Sequence, residues 1–241
     1  SLFEFVVINE AVVANAVGNK LIELAEVGPN ICKELIEKGI FECYEVEIGR
    51  LAQVGEAPVE LNELNPVQQK AFEEINGQFA TKNTVLLHGV TSAGKTEIYI
   101  HLIKEALERG EQILYLLPEI ALTKQIIERL RRVFGNRIGL YHSKFSDAER
   151  VEIWKKQLSE KPYDIILGVR SSLFLPFKKL GLVIVDEEHE NSYKQQEPAP
   201  RYNAKNAAIV LASFFGAKTL LGTATPAIES YYNATTGKYG L

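Results

Sequence analysis

The chain has 241 residues, 46% of them apolar and 24% charged, a balance that suits a water-soluble fold with a sizeable core. No apolar run approaches the ~18 residues of a membrane span, no basic start marks a secretory signal, and Cys32 and Cys43 offer neither metal-ligand spacing nor a disulfide framework, so we expect a reducing cytoplasmic location and no membrane role. Net charge is −4, but residues 1–80 hold 14 acidic and 5 basic side chains while residues 81–241 hold 17 and 22, so a nucleic-acid partner stays open for the larger part.

In chain order, Asn30 caps a short apolar-periodic run that ends at Gly39, which predicts a helix. Residues 40–48 then alternate apolar and charged side chains, as a half-exposed strand does. Helix, glycine and strand suit the tail of a winged-helix motif or any small α+β segment. Gly55, Pro58 and Pro66, spaced by polar residues, mark a linker over 49–65. We therefore divide the chain into residues 1–60, the end of a winged-helix-like domain with its linker, and 61–241.

Asn65-Pro66 starts a helix over 67–79, with Val67, Phe72, Ile75 and Phe79 turned inward. On that helix Gln68 either faces solvent or pairs with an adenine edge through its amide. The apolar strand 84–88 is followed at once by Gly89-Val90-Thr91-Ser92-Ala93-Gly94-Lys95-Thr96, the phosphate-loop pattern, and then by a helix. The glycines let backbone N–H groups and the helix N-terminus converge on phosphate oxygens. Lys95 would reach the terminal phosphates and Thr96 would hold Mg²⁺.

From there strands at 113–117, 138–141, 164–167, 182–186 and 219–221 alternate with helices at 95–109, 120–134, 147–159 and 203–214. Strands as continuously apolar as Leu182-Val183-Ile184-Val185 have both faces covered, so the fold class is α/β, a mostly parallel sheet flanked by helices. That strand ends in Asp186-Glu187-Glu188-His189, at the carboxyl edge where such sheets bind ligands. Asp186 would hold the metal and Glu187 would polarise the attacking water. For His189 we expect hydrogen bonds to Gly222-Thr223-Ala224-Thr225-Pro226 rather than metal ligation; His88, His101 and His142 read as structural.

The Gly-Lys-Thr loop, Asp-Glu-Glu-His and Gly-Thr-Ala-Thr-Pro together resemble superfamily 2 helicases of the DEAH type. With Leu117-Pro118-Glu119, Gly168-Val169-Arg170-Ser171 and the run Glu190 to Asn203, they resemble the primosomal replication-restart DNA helicases over about residues 60–235. Ser92-Ala93 departs from the Gly-Ser usual there.

The resemblance implies a RecA-like first motor lobe at 61–241, ATP and Mg²⁺ as cofactors, and Gln68 reading adenine. It implies DNA contacts from Glu119, Thr123, Gln125, Arg170 and Ser171. Tyr193, Lys194, Arg201 and Tyr202 would form an aromatic-rich loop stacking on bases, with Thr223 and Thr225 coupling DNA to hydrolysis. It further implies 3′–5′ unwinding at forked or single-stranded DNA, partnership with primosome and single-strand-binding proteins, a monomer, and a bacterial cytoplasmic location. Zinc is expected in the full-length family, with no site in these residues. We expect the chain to be a fragment, weakly active or inactive alone because the arginine finger comes from a second lobe. The alternatives are a translocase on duplex DNA that does not unwind and a nucleotide-gated DNA- or protein-binding module.

Overall fold

The computed structural model describes residues 4–8, 41–45, 61–90, 94–118, 124–142 and 145–241. Two units divide at Ala52/Gln53. Of the first, two strands are described, β1 (Glu4–Ile8) and β2 (Phe41–Glu45), paired antiparallel with Val6 opposite Cys43. β2 coincides with the core of the expected strand; the expected helix at 30–39 and residues 49–60 of the expected linker over 49–65 lie outside the described residues.

The second unit is built on six parallel strands, all expected from the sequence to within two residues. They are β3 (Thr84–His88), β4 (Gln112–Leu116), β5 (Ile138–Tyr141), β6 (Ile165–Gly168), β7 (Leu180–Asp186) and β8 (Lys218–Thr223). Their order across the sheet is β3-β8-β7-β4-β6-β5. Helices α1 (Pro66–Phe79), α2 (Lys95–Glu108), α3 (Lys124–Phe134), α4 (Asp147–Leu158) and α5 (Ala204–Phe215) connect or precede them.

Alternation along the strands sorts the core into two layers. Ile113, Tyr115, Ile165, Leu167, Leu182, Ile184 and Leu220 join one cluster with Ile98, Ile100, Ile103 and Ala106 of α2 and Leu130 of α3. The intervening Leu114, Leu116, Ile166, Val183 and Val185 are buried outside that cluster, and α5, with Ala204, Ala208 and Ala212 buried, packs on β7 and β8. Both faces are thus covered, which is why the strands lack polar alternation.

Two expectations are corrected. Val67 is 79% exposed; the inward residue of the first turn of α1 is Gln68, which with Phe72, Ile75 and Phe79 completes the 4-3-4 spacing of one helix face. A sixth helix, α6 (Ile228–Thr235), follows β8. It carried no sequence signal because its large residues Ile228, Tyr231 and Tyr232 face outward while the small Ser230 and Ala234 are buried. No helix of the described residues is long and apolar enough to cross a membrane.

Candidate functional site

Parallel strands bring the loops after β3, β4, β6, β7 and β8 to one edge of the sheet. Because β8 lies between β3 and β7, its carboxyl end touches both neighbouring loops. The Gly89 amide donates to the Thr223 carbonyl (3.0 Å), and the Glu188 amide to that of Gly222 (3.1 Å).

On the first loop, Gly94 caps α2 in the left-handed region, φ 74°, where an added Cβ would also lie 2.2 Å from Gln68 Nε2. Lys95 Nζ donates to the carbonyls of Gly89 (3.0 Å) and Val90 (3.4 Å) and sits 4.0 Å from Glu187 Oε1. Thr96 stands in the first turn of α2; Thr91, Ser92 and Ala93 lie outside the described residues. Gln68 is buried rather than solvent-facing. Its Oε1 accepts from the Asn65 amide (2.9 Å), closing a capping box, and its Nε2 donates to the Gly94 carbonyl (3.2 Å). A helix-capping glutamine therefore also props the phosphate loop.

Asp186 ends β7 with both carboxylate oxygens engaged. Tyr99 Oη donates to Oδ1 (3.0 Å) and Tyr115 Oη to Oδ2 (3.3 Å), the two rings meeting edge to face at 5.6 Å. Burial raises the Asp186 pKa, opposed by the Tyr99 hydrogen bond and reinforced by the Glu187 charge. Burial first, and the Asp186 carboxylate next, push both phenols well above their usual range, so they stay protonated donors. A carboxylate destabilised by burial favours a cation beside it. Among the described residues no three His, Cys, Asp or Glu cluster as ligands. A sparse donor set of one carboxylate and one hydroxyl, which Asp186 and Thr96 would supply, is the kind that suits Mg²⁺, because that ion keeps most of its water and phosphate ligands. Glu187 adopts φ 45°, a left-handed backbone uncommon outside glycine.

His189 joins this strand end to β8: Nδ1 lies 2.7 Å from Thr223 Oγ1 and Nε2 3.3 Å from Thr225 Oγ1. Thr223 is fully buried and Thr225 exposed. The residue that sequence reasoning missed is Glu188. It is 2% exposed, and its carboxylate accepts from Lys205 Nζ (2.8 Å), Ser230 Oγ (2.7 Å) and the Ala227 amide (2.7 Å). Burial raises its pKa, but these donors outweigh burial and hold the carboxyl below its usual value. No local pattern marks Lys205 or Ser230, because they meet only where α5 and α6 bring them to Glu188, just past β7.

The 190–203 run is folded rather than a free surface loop. A single turn at Asn191–Tyr193 leads into a bridge between Lys194 and Asn203, and the Gln195 amide donates to the Tyr202 carbonyl (2.9 Å). Tyr193 departs from its expected place as a stacking platform. It is 1% exposed, and its hydroxyl donates towards the carbonyls of Asp186 (2.6 Å) and Leu116 (3.1 Å), making it a strut between β7 and β4. Arg170 likewise turns inward to the Ser192 carbonyl (3.1 Å), with Ser171 beside it on a short turn at Arg170–Phe174. Lys194 and Arg201 stay exposed, Arg201 paired with Glu197. Tyr202 is half-buried against the exposed ring of Phe174. Gln125 is exposed on the first turn of α3; Glu119 and Thr123 lie outside the described residues.

Residues 65–234 match the DEAD/DEAH box helicase family. The replication restart protein PriA of Bacillus subtilis is 41% identical over 87% of this chain and 26% of its own length. Its counterpart in Chlamydia pneumoniae is 40% identical over 92% of this chain and 30% of its own length, and that of Helicobacter pylori 46% over 71% and 27%. The chain thus spans well under half the length of these relatives. The crystal structure of the DUF1998 helicase MrfA bound to DNA superimposes with a TM-score of 0.52 at 20% identity, covering 74% of this chain and 25% of that one, a likeness of fold alone.

Proposed function

Because this chain belongs to the DEAD/DEAH box helicases, we propose that residues 61–241 form the first, ATP-binding motor lobe of a replication-restart DNA helicase. The observation that carries the reading is the convergence of Lys95, Asp186, Glu187 and the His189–Thr223–Thr225 link on one sheet edge. The phosphate loop, propped by Gln68, binds the nucleotide phosphates through its amides and Lys95, and Gln68 reads the adenine. Thr96 and Asp186 hold Mg²⁺, which when bound neutralises phosphate charge. Glu187 accepts a proton from the attacking water, and His189 passes the state of the nucleotide to β8.

DNA is the partner we assign. Exposed Gln125, Lys194, Arg201 and Thr225, with the outward edge of Tyr202, meet a strand along the same sheet edge, and their contacts go to phosphate and base faces without sequence readout. Arg170 and Tyr193 shape that surface from beneath. We place the whole protein at forked DNA with primosome and single-strand-binding proteins, as a cytoplasmic monomer unwinding 3′–5′. Any zinc site belongs outside these residues, and residues 1–60 are the end of a winged-helix-like domain.

The test is ATP-dependent strand displacement on forked and blunt substrates by the complete protein and its Lys95→Ala variant. Fork unwinding lost in Lys95→Ala supports the motor. Translocation without displacement would instead make it a duplex translocase, and full function without hydrolysis a binding module.

A further inference from the structure

We propose that Glu188, Lys205 and Ser230 are positioning residues, a buried clamp that holds the Glu187 backbone so that its carboxylate faces Lys95. The inference rests on the ATPase reading above.

Glu187 is the non-glycine residue with positive φ among the described residues. Such a backbone persists only where its surroundings over-determine it. Both neighbours of Glu187 are anchored. On one side the Asp186 carboxylate is held by Tyr99 and Tyr115. On the other, Glu188 is fixed twice: its amide donates to the Gly222 carbonyl, and its carboxylate takes the three donors of Lys205, Ser230 and Ala227. Lys205 Nζ also reaches Ser230 Oγ (3.1 Å), so α5, α6 and the end of β7 meet in one closed polar knot.

A buried ion pair stabilises little compared with apolar packing of the same volume, so its value at this place is geometric. The segment from Gly222 to Ser230 carries Thr223 and Thr225, the His189 partners. Because the Glu188 main chain and side chain are both bonded to that segment, a shift of β8 and α6 is passed to Glu187 without slack. His189 transmits the same shift through partly exposed side-chain bonds; Glu188 does so from the interior.

The experiment uses the complete protein with Lys205→Met, Lys205→Arg, Ser230→Ala and Glu187→Gln, measuring DNA-stimulated ATP turnover, nucleotide affinity by titration with a fluorescent ATP analogue, and thermal melting. We expect Lys205→Met to lower kcat roughly tenfold or more with KM and analogue affinity within about twofold, Lys205→Arg to restore most of it, and Ser230→Ala to lower kcat about threefold with KM and affinity within about twofold and a fall in melting temperature of only a few degrees. Should Lys205→Met fail to fold, Ser230→Ala carries the test. Unchanged kcat in Ser230→Ala, or kcat and affinity falling together in proportion to melting temperature, would overturn the clamp. Undiminished turnover in Glu187→Gln would instead overturn the ATPase reading beneath it.

Discussion

Gly222→Ala is the substitution with the sharpest consequence. A Cβ at this position would lie 1.8 Å from Tyr99 Oη and 2.9 Å from Tyr99 Cζ. Tyr99 has no room to retreat, being fully buried, packed edge-on against Tyr115 and bonded to Asp186 Oδ1. Overpacking costs about 1–3 kcal/mol. Displacing the phenol adds the loss of a hydrogen bond to a charged acceptor, about 1.5–3 kcal/mol. The sum is roughly 2.5–6 kcal/mol, or a fall in Tm on the order of 10 °C for a unit of 189 residues spanning Gln53–Leu241. Denaturant unfolding followed by circular dichroism, with thermal melting alongside, reads it. Since the first clash is with the hydroxyl, Tyr99→Phe should recover part of the loss, and the double variant should fall short of the sum of the singles by about 1 kcal/mol or more. A Gly222→Ala protein within about 1 kcal/mol of the parent, or strictly additive singles, would refute the reasoning.

Lys95→Ala removes the cation that faces Glu187 and the loop carbonyls, and should cut steady-state ATP turnover by about 10²–10³-fold with weakened nucleotide binding by titration. Glu188 has its folded pKa depressed, so its contribution is present above the unfolded carboxylate pKa of about 4.3 and is lost as pH falls through the folded value. Glu188→Gln leaves Lys205 buried and unpaired; its deficit of about 3–5 kcal/mol at neutral pH should shrink in melts taken below about pH 4. Arg170→Ala releases the Ser192 carbonyl, and hydrogen exchange should rise across residues 191–203 while β3 and β7 stay protected; unchanged exchange there would remove Arg170 as the support of that loop.

Much of this molecule could be read from local pattern. Apolar runs bounded by glycine and polar turns locate every strand of the parallel sheet to within two residues, because burial on both faces leaves no room for polar alternation. The phosphate loop and the acidic motif were also visible, since each is a short contiguous string whose chemistry needs its residues at fixed spacing. The hydrogen bonding of His189 to the Gly222–Pro226 segment followed from those motifs.

The direction and partnership of side chains that meet across elements come instead from packing. Tyr193 sits in a polar, aromatic-bearing run that reads as an exposed platform, yet its ring is buried and its hydroxyl bonds the carbonyls at the ends of β4 and β7. Val67 and Gln68 differ by one position on α1, and the nearby Gly94 carbonyl, 26 residues away, favours burying the polar one. Glu188 and Lys205 are two ordinary charges until β7 and α5 pack, when desolvation makes each require the other. Which backbone segments form and which loops carry phosphate chemistry are legible locally, because both depend on neighbours along the chain. The strand order that sets β8 between β3 and β7, and so brings Thr223, Asp186 and Gly89 together, comes from the packing of distant segments into one core.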